Sequence, residues 1–327
     1  MNKNENKSLS NMLSDLNENR IFNYQNFALV IVILILIIIA SLISPNFLRT
    51  NNLINVLQQI SVKGIVTIGA AIILISGGVD LSAGMMISFI SCVCAWLYND
   101  YGISVEVMAI LGLFLSTLCG LLNGFIISRT EAEPFIITLG MMSVYQGLAL
   151  LVSNGDNISL HGAFSFLGMY KIPVVDLPIS VVILILIFII FFLSLQFTRF
   201  GRRVYAIGGN VEAARLAGID VKNYRLILYG INGFIVGIGA LILLSRLGSA
   251  NATVGTGIEL QAIAATVVGG VSLVGGVGNV IGALLGMILL GLVSNSLNLL
   301  RIPAFFQYIF LGAIIVGSIV ISSYKKE

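Results

Sequence analysis

The sequence predicts an all-α polytopic membrane protein, and three observations carry the prediction. Only 9% of the 327 residues are charged, against roughly 25% in soluble proteins. Hydrophobic residues make up 58% and the mean hydropathy is +1.05, too apolar a chain to cover a soluble surface. Apolar runs of about 20 residues, the length that crosses a bilayer, recur along the chain, and none alternates with the period of two that a membrane β-barrel requires. The 35 glycines and five prolines suit close-packed membrane helices.

Taken in order, residues 1–26 are polar and Asn-rich, with Lys3, Lys7 and Arg20, and read as a cytoplasmic tail. The Ile/Leu/Val run 27–43 begins too far from the start, without a small-residue cleavage pattern, to be a signal peptide; it reads as the first span. Further spans are predicted near 56–76, 82–98, 105–127, 134–152, 178–197, 224–245, 259–274, 280–297 and 303–322. That gives about ten transmembrane helices in one membrane domain over 27–323. Glycine pairs interrupt 56–76, 82–98 and 259–274, so eight spans plus re-entrant segments is the alternative.

Charge tests the count. With the N-terminus inside and spans alternating, twelve cations fall on inner segments: Lys3, Lys7, Arg20, Arg129, Arg199, Arg202, Arg203, Arg215, Lys222, Arg225, Lys325 and Lys326. Four fall outside, at Arg49, Lys171, Arg246 and Arg301, and Lys63 lies within a span. This is the asymmetry of a positive-inside membrane protein, with both termini cytoplasmic. The long outer loop is then 153–177 and the long inner loop 198–223.

Several classes drop out. The net charge of +3 is spread along the chain, so no nucleic-acid patch stands out. Cys92, Cys94 and Cys119 lie in apolar stretches as packing residues, and the single histidine, His161, builds no metal site with them. There is no G-x-x-x-x-G-K-[ST], no nucleophile–base pair and no carboxylate pair suited to hydrolysis. No catalytic residue and no cofactor of this chain's own is expected.

Two patterns carry more. Gly77-Gly78-Val79-Asp80-Leu81 recurs as Gly269-Gly270-Val271-Ser272-Leu273, the first leading to Gly84 and the second to Gly275-Gly276. Paired glycine interruptions in two halves of a transporter mark broken helices around a substrate path. Asp80, an acid beside such a break, is costly to hold in a membrane and so purposeful; the expected purpose is to cap the next helix near the Ser82–Gly84 amides. In the inner loop, Asn210 is a natural N-cap, Glu212 sits where the helix dipole favours an anion, and Gly218 is a natural stop. A two-turn polar helix has little reason to form alone in water, and is explained by docking into a partner.

Glu212-Ala213-Ala214-Arg215-Leu216-Ala217-Gly218 resembles the E-A-A-x-x-x-G signature in the coupling helix of ABC-importer permeases. With G-G-V-D-L-S-A-G at 77–84, G-R-R-V-Y-A-I-G-G-N-V-E-A-A-R-L-A-G-I at 201–219 and A-T-V-V-G-G-V-S-L-V-G-G-V-G-N at 265–279, the chain from about 45 to 322 is similar to the ribose/galactose/xylose-type permeases, the RbsC-like branch. The resemblance implies two permease subunits, usually identical, in a bacterial plasma (inner) membrane. It implies a cytoplasmic ABC ATPase with two fused nucleotide-binding halves that holds the ATP and magnesium, and an extracytoplasmic sugar-binding protein. Glu212, Ala213, Ala214, Arg215, Leu216 and Gly218 would couple to the ATPase, and Arg202, Arg203 and Arg215 would pair with its acids or serve only as topogenic charge.

A sugar path needs hydrogen-bonding groups, so polar residues inside spans are its candidates: Gln58, Gln59, Asn123, Gln146, Asn232 and Asn295. Each has interhelical hydrogen bonding as its plainer role. Glu259 and Lys63 are expected to snorkel near span ends. The favoured cargo is a ribose-like monosaccharide, with autoinducer-2 or a nucleoside as the alternative. An ion-coupled secondary transporter is the more remote one, with Asp80 its one well-placed acid.

Overall fold

The computed structural model describes residues 24–173, 176–303, 305–307, 309–310, 312–313 and 316–317. The tail expected over 1–26 lies outside the described residues as far as residue 23, as do Lys325 and Lys326. The described chain is helical, with α1 Tyr24–Ile43, α2 Thr50–Ile75, α3 Ala83–Tyr101, α4 Val105–Arg129 and α5 Pro134–Ser153. An irregular stretch follows, with β1 Ile158–Ser159, α6 Phe166–Met169, β2 Lys171–Ile172 and β3 Leu177–Pro178. Then come α7 Ile179–Phe197, α8 Arg199–Gly209, α9 Val211–Leu216, α10 Val221–Leu247, β4 Ser249–Ala250, α11 Ile258–Val268 and α12 Val280–Leu299. The described positions beyond 304 are helical too. Seven of the described helices are long and apolar enough to cross a membrane, and the protein is an all-α polytopic membrane protein.

The predicted segments from 27–43 to 280–297 fall on these helices, 303–322 lies partly outside the described residues, and 82–98 is the unbroken α3, not an interrupted segment. Two further differences concern the other glycine-bearing segments. The 56–76 segment is not interrupted: α2 runs through Gly64 and Gly69 and stops at Ile75, just short of Gly77-Gly78. The 259–274 segment holds only the 11-residue α11, which rises about 16 Å, half of a hydrocarbon core of about 30 Å. Its helix ends where Gly269 caps it and Gly270 turns to φ +87°, a conformation that glycine adopts freely.

Burial divides the helices. α2 and α10 are enclosed, whereas α1, α4, α5 and α7 bury few of their residues and leave many large apolar side chains exposed. Lipid tails solvate such side chains as well as protein does, so association rests on close packing and hydrogen bonds. α4 and α10 meet through small residues: a Cβ at Gly120 would strike Gly233, one at Gly124 would strike Leu226, and the Ser116 hydroxyl donates to the Gly233 carbonyl. The stretch between α5 and α7 is tied down rather than loose. β1 pairs antiparallel with β4, Ile158 opposite Ala250, and β2 with β3, the latter closed by Lys171–Asp176 at 3.4 Å.

Candidate functional site

The chain between α2 and α3 is the hub of the molecule. α2 ends in a Schellman geometry, the Gly77 amide bonded to the Leu74 carbonyl and the Gly78 amide to that of Ile73, both 2.9 Å, with Gly77 at φ +80°. The backbone so freed must be satisfied by protein. The Tyr229 hydroxyl donates to the Val79 carbonyl at 3.0 Å, and the Thr138 hydroxyl accepts the Leu81 amide at 3.2 Å. Asp80 is 6% exposed. Its Oδ1 accepts the Ser82 amide at 2.9 Å and the Ser82 hydroxyl at 2.6 Å, and its Oδ2 accepts the Asn232 amide group at 2.7 Å. Asn123 donates to Ser82 Oγ at 2.8 Å and accepts from the Tyr145 hydroxyl at 2.9 Å. One acid at the break thus gathers α3, α4, α5 and α10 into a single network. Asp80 does not cap α3 as expected: the N-cap is Ser82, which makes no side-chain cap bond, and the Asp80 carboxylate bonds that residue and reaches across to α10.

The second glycine segment has the same geometry. The Gly270 amide bonds to the Val267 carbonyl at 2.9 Å and the Val271 amide to that of Thr266 at 3.1 Å. Gly77 therefore corresponds to Gly270, one residue off the register in which the strings were matched. The two breaks also touch. The Gly276 amide donates to the Ile75 carbonyl at 2.9 Å, and a Cβ on Gly275 would meet the Gly77 backbone. Gly208, in α8, closes the junction: a Cβ there would strike the Ile75 carbonyl and the Gly276 amide. Beside it the Tyr205 hydroxyl donates to the Gly278 carbonyl at 2.8 Å. Burial pushes that phenol up to about 12, so it remains a neutral donor at any ordinary pH. Gly269 faces α12, where its missing Cβ leaves room for the Gly282 carbonyl.

α8 leads directly into α9. The Asn210 side chain caps α9 by accepting the Ala213 amide at 2.9 Å. Gly218, at φ +80°, ends it, with the Ile219 amide on the Ala214 carbonyl at 3.0 Å. Ala214 packs inward with Ile207 and Val221 in a small core of their own. Glu212, Ala213, Arg215 and Leu216 face out, Leu216 being 82% exposed. Glu212 and Arg215 pair at 3.0 Å. Arg203 lies over the Tyr224 ring and donates to its hydroxyl at 2.7 Å.

The polar residues expected along the path scatter. Asn123 and Asn232 belong to the Asp80 network. Gln58 donates to the Gly168 carbonyl at 3.0 Å and Ser245 accepts the Gly168 amide at 2.9 Å, together anchoring α6. Asn295 exchanges two hydrogen bonds with Asn52, at 2.8 and 3.1 Å. Gln59 is half-buried on α2. Gln146 is exposed on α5 in a row with Gly140, Ser143 and Gly147. Glu259 is 5% exposed rather than snorkelling. Its Oε1 accepts the Gly257 amide at 3.2 Å, while Oε2 rests against Gly84 with no hydrogen-bond partner among the described residues.

Tyr145, Tyr229 and Thr138 are members of the hub that the sequence did not single out. A hydroxyl inside an apolar run carries no mark of the face it occupies. No group of three or more His, Cys, Asp or Glu able to hold a metal occurs among the described residues.

Residues 52–319 match the family described as "Branched-chain amino acid transport system / permease component". The ribose import permease protein RbsC of Bacillus subtilis (strain 168) is 35% identical over 293 residues, 89% of this chain and 91% of that one. Its namesake in Escherichia coli (strain K12) is 36% identical over 303 residues, 90% and 93% of the two chains. The D-allose transport system permease protein AlsC of the same strain is 32% identical over 314 residues, 94% and 95%. No solved structure matches. A bundle broken at paired glycines, with a capped helix standing on the broken end, thus meets a family match over most of its length, and the chain belongs to the branched-chain amino acid transport system permease component family.

Proposed function

We propose that this chain is the membrane-spanning permease subunit of an ABC importer for a ribose-like monosaccharide. Two copies form the path in a bacterial inner membrane, the α8–α9 end faces the cytoplasm with both termini, a separate ATPase grips α9, and an extracytoplasmic binding protein delivers the sugar. The cargo is favoured by relatives named for ribose import. The observation that carries the mechanism is Gly208, seated against Ile75 and Gly276 at the meeting of both breaks.

The route follows from rigid pieces. α9 is short and shares the small core of Ile207, Ala214 and Val221 with the end of α8 and the start of α10, so a pull on Glu212–Leu216 moves them together. α8 bears on the break through Gly208 and Tyr205. The break bears on α5 through Ser82, Asn123 and Tyr145. The next residue, Gln146, faces outward, where a polar side chain is poorly placed against lipid and well placed on a water-filled path between two copies. ATP-driven closure of the partner thus rocks α5 relative to α2 and α10, opening the path to each side in turn.

The test is ATPase activity of the chain reconstituted with its candidate ATPase and sugar-binding protein, comparing wild type with Glu212→Ala and Leu216→Ser. Both side chains are exposed, so the fold is retained. Stimulation by ribose-loaded binding protein is expected in the wild type and lost in the variants, and uptake is expected to ignore collapse of the ion gradient. Unchanged stimulation in both variants overturns the coupling role of α9, and gradient-dependent uptake without an ATPase overturns the importer itself.

A further inference from the structure

The cytoplasmic end of the α4–α10 pair holds a basic cavity that shares only Arg215 with the coupling helix α9. Its volume is about 520 Å³ and it is lined by Arg129, Arg215, Lys222 and Arg225, with one acid, Glu131, and the hydroxyl residues Ser128 and Thr130. Among the described residues only Arg215 of the four cations has an ion pair, with Glu212. A smaller cavity of about 220 Å³ shares Ser128, Arg129 and Lys222 and adds Phe125, Asp220 and Leu226. Its carboxylate, that of Asp220, caps α10, accepting the Asn223 amide at 3.1 Å and side chain at 2.6 Å, and Asn223 lines the same cavity. The Ser128 and Thr130 hydroxyls donate to the Phe125 and Ile126 carbonyls of their own helix, both at 2.9 Å, so the recess offers a ligand its cations. Concentrated positive charge suits a phosphate group, which accepts from several donors at once.

The surroundings say which phosphate. The smaller cavity has an apolar wall at Phe125 and Leu226. The guanidinium of Arg129 lies 5.6 Å from the centre of the Phe125 ring. One turn deeper along α4, Leu122 and Leu118 are exposed, continuing an apolar face away from the cations. Basic recesses between helices at the cytoplasmic leaflet suit anionic lipid headgroups, and here the recess opens onto a surface able to carry the acyl chains.

We propose that this recess binds the headgroup of an anionic phospholipid, with its chains along Phe125, Leu122 and Leu118, and that the bound lipid bridges α4, α9 and α10. A lipid there holds Arg215, and with it α9, against the membrane end of the bundle, so coupling depends on anionic lipid. The inference rests on the reading above only in placing this end at the cytoplasmic leaflet and in naming α9 as the coupling element.

The experiment uses the full chain in nanodiscs of phosphatidylcholine, with or without phosphatidylglycerol. Lipid retained by the released protein is read by native mass spectrometry, and sugar-stimulated ATPase is read after adding the partner proteins. Wild type is compared with R129Q/K222Q/R225Q and with K222Q alone, an exposed single change that keeps the fold. Wild type is expected to retain phosphatidylglycerol selectively, the triple variant to lose about a hundred-fold in retention, and K222Q to fall between. Stimulated ATPase is expected to rise with phosphatidylglycerol in the wild type only. Equal retention in wild type and variants overturns the site. Displacement of the lipid by millimolar inorganic phosphate assigns the recess to a soluble anion, and loss of ATPase capture by the triple variant in phosphatidylcholine assigns it to the protein partner; either overturns the lipid. Retention needs no ATPase, so Glu212→Ala with normal lipid retention and no stimulation tests the coupling reading separately.

Discussion

The carbonyl of Ile75, the last residue of α2, accepts the amide of Gly276 at 2.9 Å. That bond joins the two glycine breaks, about 200 residues apart in the chain, into one joint. Gly208 of α8 rests directly on the pair, so α8 touches the joint itself and not merely the helices beside it. The echo between the two glycine strings is thus a contact as well as a likeness.

Gly208→Ala should therefore uncouple the subunit, because its methyl group meets the Ile75 carbonyl and the Gly276 amide and cannot be relieved by a rotamer. Overpacking of this kind costs about 1–3 kcal/mol, seen as a lower melting temperature in detergent. Gly209→Ala is the matched control, since a Cβ there meets nothing within 4 Å. Sugar-stimulated ATPase should fall sharply in the first and hold in the second. Equal behaviour of the two would remove Gly208 from the coupling route.

Asp80 and Asn232 make a buried acid–amide pair at 2.7 Å. Asp80→Asn leaves the Ser82 contacts possible but replaces the charge-assisted bond to Asn232 with a weaker neutral amide–amide one. Asn232→Asp sets two carboxylates together. A hydrogen bond to a charged group contributes about 1.5–3 kcal/mol, so each single variant should melt earlier. The exchange Asp80→Asn with Asn232→Asp restores one donor and one acceptor and should recover much of the loss. Additive losses in the double variant would show that the pair does not act as a unit.

How much of this was legible follows from the physics of a membrane solvent. Span positions were readable because lipid demands about 20 apolar residues and polar breaks punctuate them, which is why α4, α5 and α7 begin within a residue of their expected starts. The ends of α9 were readable because Asn210 and Gly218 are local devices. Facing was not readable. A span is apolar toward lipid and protein alike, so nothing in the sequence says that Tyr145 points into the hub while Gln146 points out. Nor does spacing along the chain reveal that Gly77, Gly208 and Gly275 meet at one place, since each is close-packed against residues from other segments. Asp80 was singled out by its charge; Asn232, its partner, and Asn123, bonded to Ser82 and Tyr145, were named for the sugar path and stand in the network that holds the break.

Gly84 tests the contact between the first turn of α3 and the first turn of α11. A Cβ there would overlap the Glu259 carboxylate and the Gly255 carbonyl, and the Gly255 amide is already bonded to Ser88 Oγ at 2.9 Å. Gly84→Ala should thus separate the two helices and lower the melting temperature, whereas Gly140→Ala on α5, with nothing within 4 Å, should not. The expected gap is about 1–3 kcal/mol, readable by thermal unfolding in the same detergent.

Gln146→Leu separates a lipid-facing surface from a path. If the α5 row of Gly140, Ser143, Gln146 and Gly147 faced only hydrocarbon, leucine would be at least as well solvated as glutamine, and both stability and transport would hold or improve. On a sugar path the amide supplies a donor and an acceptor that leucine lacks, and a polar ligand that loses one such partner binds more weakly by about 0.5–1.5 kcal/mol, a few-fold in affinity. The variant should therefore fold at least as well as wild type, keep its basal ATPase, and take up ribose several-fold more slowly in proteoliposomes. Gln58→Leu provides the contrast. Its amide is bonded to the Gly168 carbonyl, so the loss there should fall on the seating of α6 and on thermal stability. Slower uptake with intact stability at Gln146, against lower stability at Gln58, would assign the path to α5; unchanged uptake in Gln146→Leu would move it elsewhere.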